Sequence, residues 1–169
     1  MISFIISQAE RSIGVPMDYL RSIARGSRSA FWKFMLFMPL SGHRKRLPKE
    51  LWHAARIVVT QHMDCGACVQ ITVNMALQEG LPAAWVRAVL NRNEATLSPE
   101  VKTAMDYADA VVKQDELAAL PLREALLKAY GEAGLVDLAL GIAGAQVYPV
   151  TKRALGLAVS CSKVEIVGV

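Results

Sequence analysis

The chain is poor in the features that mark several broad protein classes. Only three of its 169 residues are cysteine, whereas a secreted disulfide scaffold uses more of them and an even count. Aromatics make up 7% of it, and no aromatic-interleaved basic face accompanies the run His43-Arg44-Lys45-Arg46, so a nucleic-acid surface is not signalled. No glycine-rich phosphate loop occurs, and with it goes the usual cue for a bound nucleotide. No run alternates as a half-buried strand would. The first residues, Met1-Ile2-Ser3-Phe4-Ile5-Ile6-Ser7, are apolar but lack a basic start, and acidic Glu10 follows, which makes a poor signal peptide. The longest weakly charged stretch, Gly134 to Val150, carries Asp137 and stops at Pro149, which reads as a buried core helix short of a membrane span. The expectation is a cytoplasmic chain with no membrane span and no nucleic-acid partner.

What is present is apolar and helix-forming. Hydrophobic residues make up 53% of the chain, too many for disorder, and the length suits one domain with a substantial core. The net charge of +4 is unevenly spread. Residues 1–50 hold nine Lys/Arg against three Asp/Glu, and residues 51–169 hold ten against twelve. The basic run at 43–46 reads as a solvated turn between helices.

Helical periodicity, punctuated by proline and glycine, predicts an all-α bundle. Helices are expected over 1–12, Met17 to Arg25, Ser29 to Met38, Pro48 to His62, Cys65 to Gly80, Pro82 to Leu90 and Ser98 to Lys113. Further helices are expected over Pro121 to Tyr130, from Gly134 or Leu135 to Pro149, and over Thr151 to Ser160. The third is apolar nearly all round through Phe31-Trp32-Lys33-Phe34-Met35-Leu36-Phe37-Met38. It must be buried, against the domain or against another subunit. Residues 1–46 read as an extra N-terminal helical segment and 47–169 as the main helical domain.

The motif with chemistry in it is Cys65-Gly66-Ala67-Cys68. With Asp64 as cap and Cys65 at the first helical position, Cys68 falls one turn on, on the same face. A helix start donates free N–H groups and partial positive charge, which favours a thiolate. Gly66 and Ala67 keep the surroundings small. A base or a charge is still needed. His62 lies three residues before Cys65, His53 twelve before it, and Thr72 four after Cys68. Two other readings stay open: a buried pair that never reacts, and a zinc site built from His62, Cys65, Cys68 and Cys161.

The run from Leu47-Pro48-Lys49-Glu50-Leu51-Trp52-His53 through Val59, then Asp64-Cys65-Gly66-Ala67-Cys68-Val69-Gln70, then Arg87-Ala88-Val89-Leu90, resembles the carboxymuconolactone decarboxylase family in its alkylhydroperoxidase D-like branch. The likeness is strongest over about residues 47–91 and looser through 98–160; the first 45 residues lie outside it. The resemblance implies an all-helical fold assembled as a homo-oligomer, a trimer or hexamer. It implies a thiol peroxidase or disulfide reductase that acts on a hydroperoxide, is recharged by an external thiol, and needs no organic cofactor or metal. It implies Cys68 as the attacking thiol and Cys65 as its partner.

The departures from that pattern are specific. The family's relay has a glutamate where His53 stands and a histidine where Thr72 stands. A threonine is no base near neutral pH, though its hydroxyl could donate to a thiolate or hold a water. His53 is then the expected replacement base. A second class of function is a helical oligomer that keeps the dithiol for redox sensing or partner binding. Decarboxylation of a lactone acid fits poorly, because that branch does not use the cysteine pair.

Overall fold

The computed structural model describes residues 1–158 and 164–166. Among these residues the chain forms eight α-helices and no strand: α1 (Ile2–Ile13), α2 (Asp18–Gly26), α3 (Arg28–Ser41), α4 (Lys49–His62), α5 (Gly66–Gln78), α6 (Ala83–Leu90), α7 (Pro99–Lys113) and α8 (Glu116–Ala154). A single 3-10 turn, Glu94–Thr96, joins α6 to α7. The all-α architecture expected from the periodicity is what forms. Cys161 lies outside the described residues, as does the end of the helix expected over Thr151 to Ser160.

Several starts follow from local chemistry. Ser27 opens α3 by accepting the Ala30 N–H at 3.1 Å. Ser98 opens α7 by accepting from Val101, with Pro99 in the first turn, where its missing N–H leaves nothing unpaired. Asp115 opens α8 by accepting the Ala118 N–H at 3.0 Å. That start precedes the expected one at Pro121, which sits inside the helix.

The stop expected before Pro39 does not hold, and Pro149, expected to kink or end its helix, does not end it. α3 continues through Pro39 to Ser41, and α8 through Pro149 to Ala154. A proline removes one N–H bond, but packing retains the helix where its other face is buried, and Pro149 is itself buried. What divides α8 is Gly131, at φ 68 and ψ −179.

α4 is the axis of the fold. Every residue from Leu51 to Thr60 is buried, because α5, α6, α7 and α8 all pack around this helix. Small residues set the spacing. Ala54 and Ala55 on α4 and Ala104 and Ala108 on α7 are fully covered. Gly141 on α8 meets Trp52 so closely that a Cβ there would stand 2.6 Å from the indole Nε1. A second cluster gathers Ile6, Met17, Tyr19, Leu20 and Phe31 from the N-terminal helices, with Phe34 and Tyr148 packed on it. Tyr148 of α8 sits edge-on to Phe34, with ring centroids 5.8 Å apart.

α3 is only partly covered. Phe31 is buried, whereas Trp32, Leu36 and Leu40, spaced four residues apart along one face, are exposed. α8 is long and apolar enough to cross a membrane by length and composition. Here it lies against α4 and α7 and carries buried Asp137 and Lys152.

The basic turn between α3 and α4 is more than a solvated loop. Its backbone wraps the Asp137 carboxylate, whose Oδ2 accepts the N–H groups of Lys45 at 2.8 Å, Arg46 at 2.6 Å and Leu47 at 3.0 Å. His43 Nε2 stands 3.4 Å from the other oxygen. Burial pushes the Asp137 pKa up, but the three N–H bonds together with His43 outweigh it and hold the carboxyl below its usual range.

Candidate functional site

A two-residue reversal sets the cysteine pair. α4 closes with the Met63 N–H on Val59 O, and Asp64 turns the chain at φ 45, a left-handed conformation that a short polar residue tolerates. Cys65 follows in extended conformation, φ −130, and is itself the N-cap of α5. Its carbonyl accepts the N–H of Cys68 at 2.8 Å and of Val69 at 3.0 Å. Asp64 therefore does not cap the helix as expected. Its left-handed backbone places it one residue too early.

The Cys65 and Cys68 sulfurs lie at disulfide distance, with the Cα atoms 5.2 Å apart, inside the range a disulfide spans. No side-chain hydrogen bond caps α5, and its first turn holds no acidic residue. The partial positive charge of the helix start thus acts on the pair with no carboxylate inside that turn.

Both cysteines are buried, yet they differ in what they face. Cys68 lines a cavity of about 130 Å³, shared with Arg56, Thr60, Thr72, Met75 and Tyr148. Cys65 is not part of its wall. An open recess of about 690 Å³ among α1, α2 and α3 is larger, but arginines are its only ionisable side chains.

Thr72 is buried on this cavity, with its hydroxyl donating to Val69 O at 2.8 Å and lying 3.1 Å from the Thr60 hydroxyl. Neither contact involves a cysteine.

His53 is fully buried but faces the other end of α5. Its Nε2 stands 3.3 Å from Glu79 Oε1, just past the C-terminus of that helix. At about 1.5 Å per residue, roughly 16 Å of helix separates Cys68 from Glu79. The expected swing of His53 over the cysteines does not occur, because α4 and α5 run antiparallel and residue 53 pairs with the far end of α5. Burial pulls the imidazole pKa down to about 4, with Glu79 opposing and Arg56 and Arg44 assisting. The ring is neutral near pH 7.

His62 is also directed elsewhere. Its Nε2 pairs with the Asp109 carboxylate, which Arg92 shares at 2.7 Å. The histidine of the zinc alternative is thus engaged on α7. Among the described residues no group of three or more His, Cys, Asp or Glu is placed to hold a metal.

α5 is held in place by its polar face. Asn74 donates to Ile13 O at 2.6 Å and Gln78 to Ser12 O at 2.5 Å, satisfying carbonyls at the end of α1 that its own helix leaves unpaired. Gln70 exchanges two hydrogen bonds of 2.7 Å with the backbone of Glu165, so residues 164–166 lie beside the helix that carries the pair.

Comparison with family models, with curated proteins and with solved structures finds no match to this chain.

The residues absent from the sequence reading are Arg56, Tyr148 and Glu79. Arg56 is 4% exposed in a helix otherwise apolar around it, and its guanidinium carbon lies 4.1 Å from the Trp52 ring centroid. Burial lowers its pKa to about 10, with Tyr148 and Glu79 opposing, so it stays charged at neutral pH. The signal that could have found it is one arginine inside Ala54-Ala55-Arg56-Ile57-Val58-Val59. A lone charge in so apolar a run needs an internal use. Tyr148 and Glu79 carry no comparable signal.

Proposed function

We propose that this chain is a thiol-dependent peroxidase or disulfide oxidoreductase that works through the Cys65–Cys68 pair. One observation carries the reading: the two sulfurs lie at disulfide distance at a helix start, and Cys68 also lines a cavity. Cavity access makes Cys68 the attacking thiol and Cys65 its resolving partner. The same roles follow from the resemblance to the alkylhydroperoxidase D-like branch.

In this reading the Cys68 thiolate attacks the terminal oxygen of a hydroperoxide. The O–O bond breaks, the alcohol departs with a proton, and Cys68 becomes a sulfenic acid. The Cys65 thiol then condenses with it, forming the S–S bond and releasing water. An external dithiol returns the two electrons by exchange. The thiolate is favoured by the uncapped helix start and by the Arg56 guanidinium on the same cavity, rather than by a histidine. A cavity of about 130 Å³ suits a small organic hydroperoxide. The exposed row Trp32, Leu36 and Leu40 is the face on which a second copy would pack in a homo-oligomer.

The test is the reduced protein mixed with tert-butyl hydroperoxide, with free thiols counted over time. Loss of two thiols per chain, recovery with dithiothreitol, and abolition in Cys68→Ser are expected. Cys65→Ser should stop at a sulfenic acid that dimedone traps. Thiols that react no faster than free cysteine would refute the peroxidase. A redox-sensing role would instead give a reversible disulfide without peroxide turnover. That second reading is favoured by one feature: among the described residues no histidine or carboxylate lines the cavity.

A further inference from the structure

Arg56 is a buried cation with little to bind. It sits mid-helix between Ala55 and Ile57, both fully covered. Among the described residues no carboxylate oxygen lies within 4.0 Å of it; Glu79, whose charge it feels, is held by Arg44 at 2.5 Å and approached by His53 at 3.3 Å. The Trp52 ring covers one face of the guanidinium. Of its five donor hydrogens, the one on Nε is buried with no partner. Nη1 reaches only the Met75 sulfur, at 4.0 Å, which is a weak acceptor.

A guanidinium taken out of water is normally compensated by an anion and by hydrogen bonds on its fork. Here the ring compensates part of the charge and leaves donors unused on a residue that lines the cavity beside Cys68. Several other polar groups of that wall are already engaged. The Thr60 and Thr72 hydroxyls donate to backbone carbonyls, and the Tyr148 hydroxyl pairs with Ser41 at 2.6 Å. The rest of the wall is largely methionine and aliphatic, including Met17, Met38 and Ile71.

We infer that this cavity binds a small apolar organic acid, with Arg56 receiving the carboxylate and the apolar body held toward Cys68. The size sets the class. An apolar cavity of about 150 Å³ holds a benzene-sized molecule, and this one is about 130 Å³. Branched short-chain or single-ring carboxylates fit, whereas nucleotides and long acyl chains do not. The role of such an acid as substrate, in the form of its hydroperoxide, rests on the redox reading above. The binding itself does not.

The probe is pivalate, with isosteric neutral pivalamide as control, titrated by calorimetry into the oxidised full-length protein. With the cysteines joined, no thiolate competes for Arg56. Expected is one site per chain with pivalate bound at least about tenfold tighter than pivalamide, the scale of one charge-assisted pair. Arg56→Met should abolish that preference and Arg56→Lys should keep part of it. Equal binding of the two probes, no saturable binding of pivalate, or a preference that survives in Arg56→Met would each overturn the inference. If Arg56→Met does not fold, Ile71→Phe, which enlarges the cavity wall, must weaken pivalate binding; unchanged affinity places the site elsewhere and overturns it. Peroxide turnover is measured separately. Pivalate preference without turnover upholds the acid site and refutes the peroxidase. Turnover without the preference does the reverse.

Discussion

The hydroxyl oxygens of Thr60 and Thr72 stand 3.1 Å apart across the α4–α5 interface, both buried. Thr60 also donates toward Arg56 O and Ile57 O at 3.0 Å, and Thr72 toward Val69 O at 2.8 Å. The two hydroxyl protons thus have three carbonyl oxygens and the neighbouring hydroxyl oxygen as acceptors, and none remains for a sulfur. Thr72 is a structural tie beside Cys68.

Thr72→Val should accordingly lower folding stability by about 1 kcal/mol, the net value of one internal hydrogen bond. Peroxide reactivity of the thiols should change by less than about threefold, under about 0.7 kcal/mol of barrier. Urea denaturation and thiol titration measure the two separately. A large loss of reactivity at intact stability would make the hydroxyl a participant.

His53 should make the protein acid-sensitive. The unfolded chain takes up the imidazole proton near pH 6.5, while the folded protein resists it until about pH 4. Between these values the unfolded state binds more protons, so stability falls as pH drops through the window. From pH 7 to pH 5 the loss is on the order of 2 kcal/mol. His53→Gln should flatten that slope, and denaturant melts at the two pH values will show it. Removing His53 should leave the thiols as reactive as before.

Asp137 organises the turn that leads into α4. Asp137→Asn leaves three backbone N–H groups facing a weaker acceptor whose own amide must also be placed. A loss of about 2–4 kcal/mol at pH 7 is expected. Because the folded pKa is depressed, the wild-type contribution is present above about pH 3.9 and fades as pH falls through the folded value. The gap between wild type and variant should therefore narrow in acid.

Gly131 tests backbone strain without sterics. Nothing lies within 4 Å of where its Cβ would be, yet φ 68 with ψ −179 belongs to a region only glycine occupies readily. Gly131→Ala should cost about 1–3 kcal/mol. Gly26, also with open space around its Cβ and the last residue of α2, should accept alanine at no cost, with a gain of a few tenths up to about 1 kcal/mol. Thermal melts of the two variants give the contrast.

The reading from composition and periodicity reached the helical class, the start of α7 at Ser98-Pro99, and the cysteine pair as a unit. These depend on residues within a turn or two of one another. It missed the prolines inside α3 and α8, because tertiary packing keeps a helix that local propensity would end. It put His53 on the cysteines, because a separation of twelve residues fixes distance along the chain but not the alignment of two antiparallel helices. It took His43 to Arg46 for a solvated turn, because Asp137, which orders that turn, lies about ninety residues away.

Local sequence therefore decided which segments coil and that two thiols would stand one turn apart at a helix start. The decision rests on backbone sterics and on hydrogen bonds that close within four residues. Only the packed bundle decided what surrounds those thiols. It turned Cys68 and not Cys65 toward the cavity, sent both nearby histidines to carboxylates elsewhere, and left Arg56 charged and short of partners beside the pair. Burial and electrostatics act through space, and their outcome depends on the rotation of each helix about its axis, which the whole core sets at once.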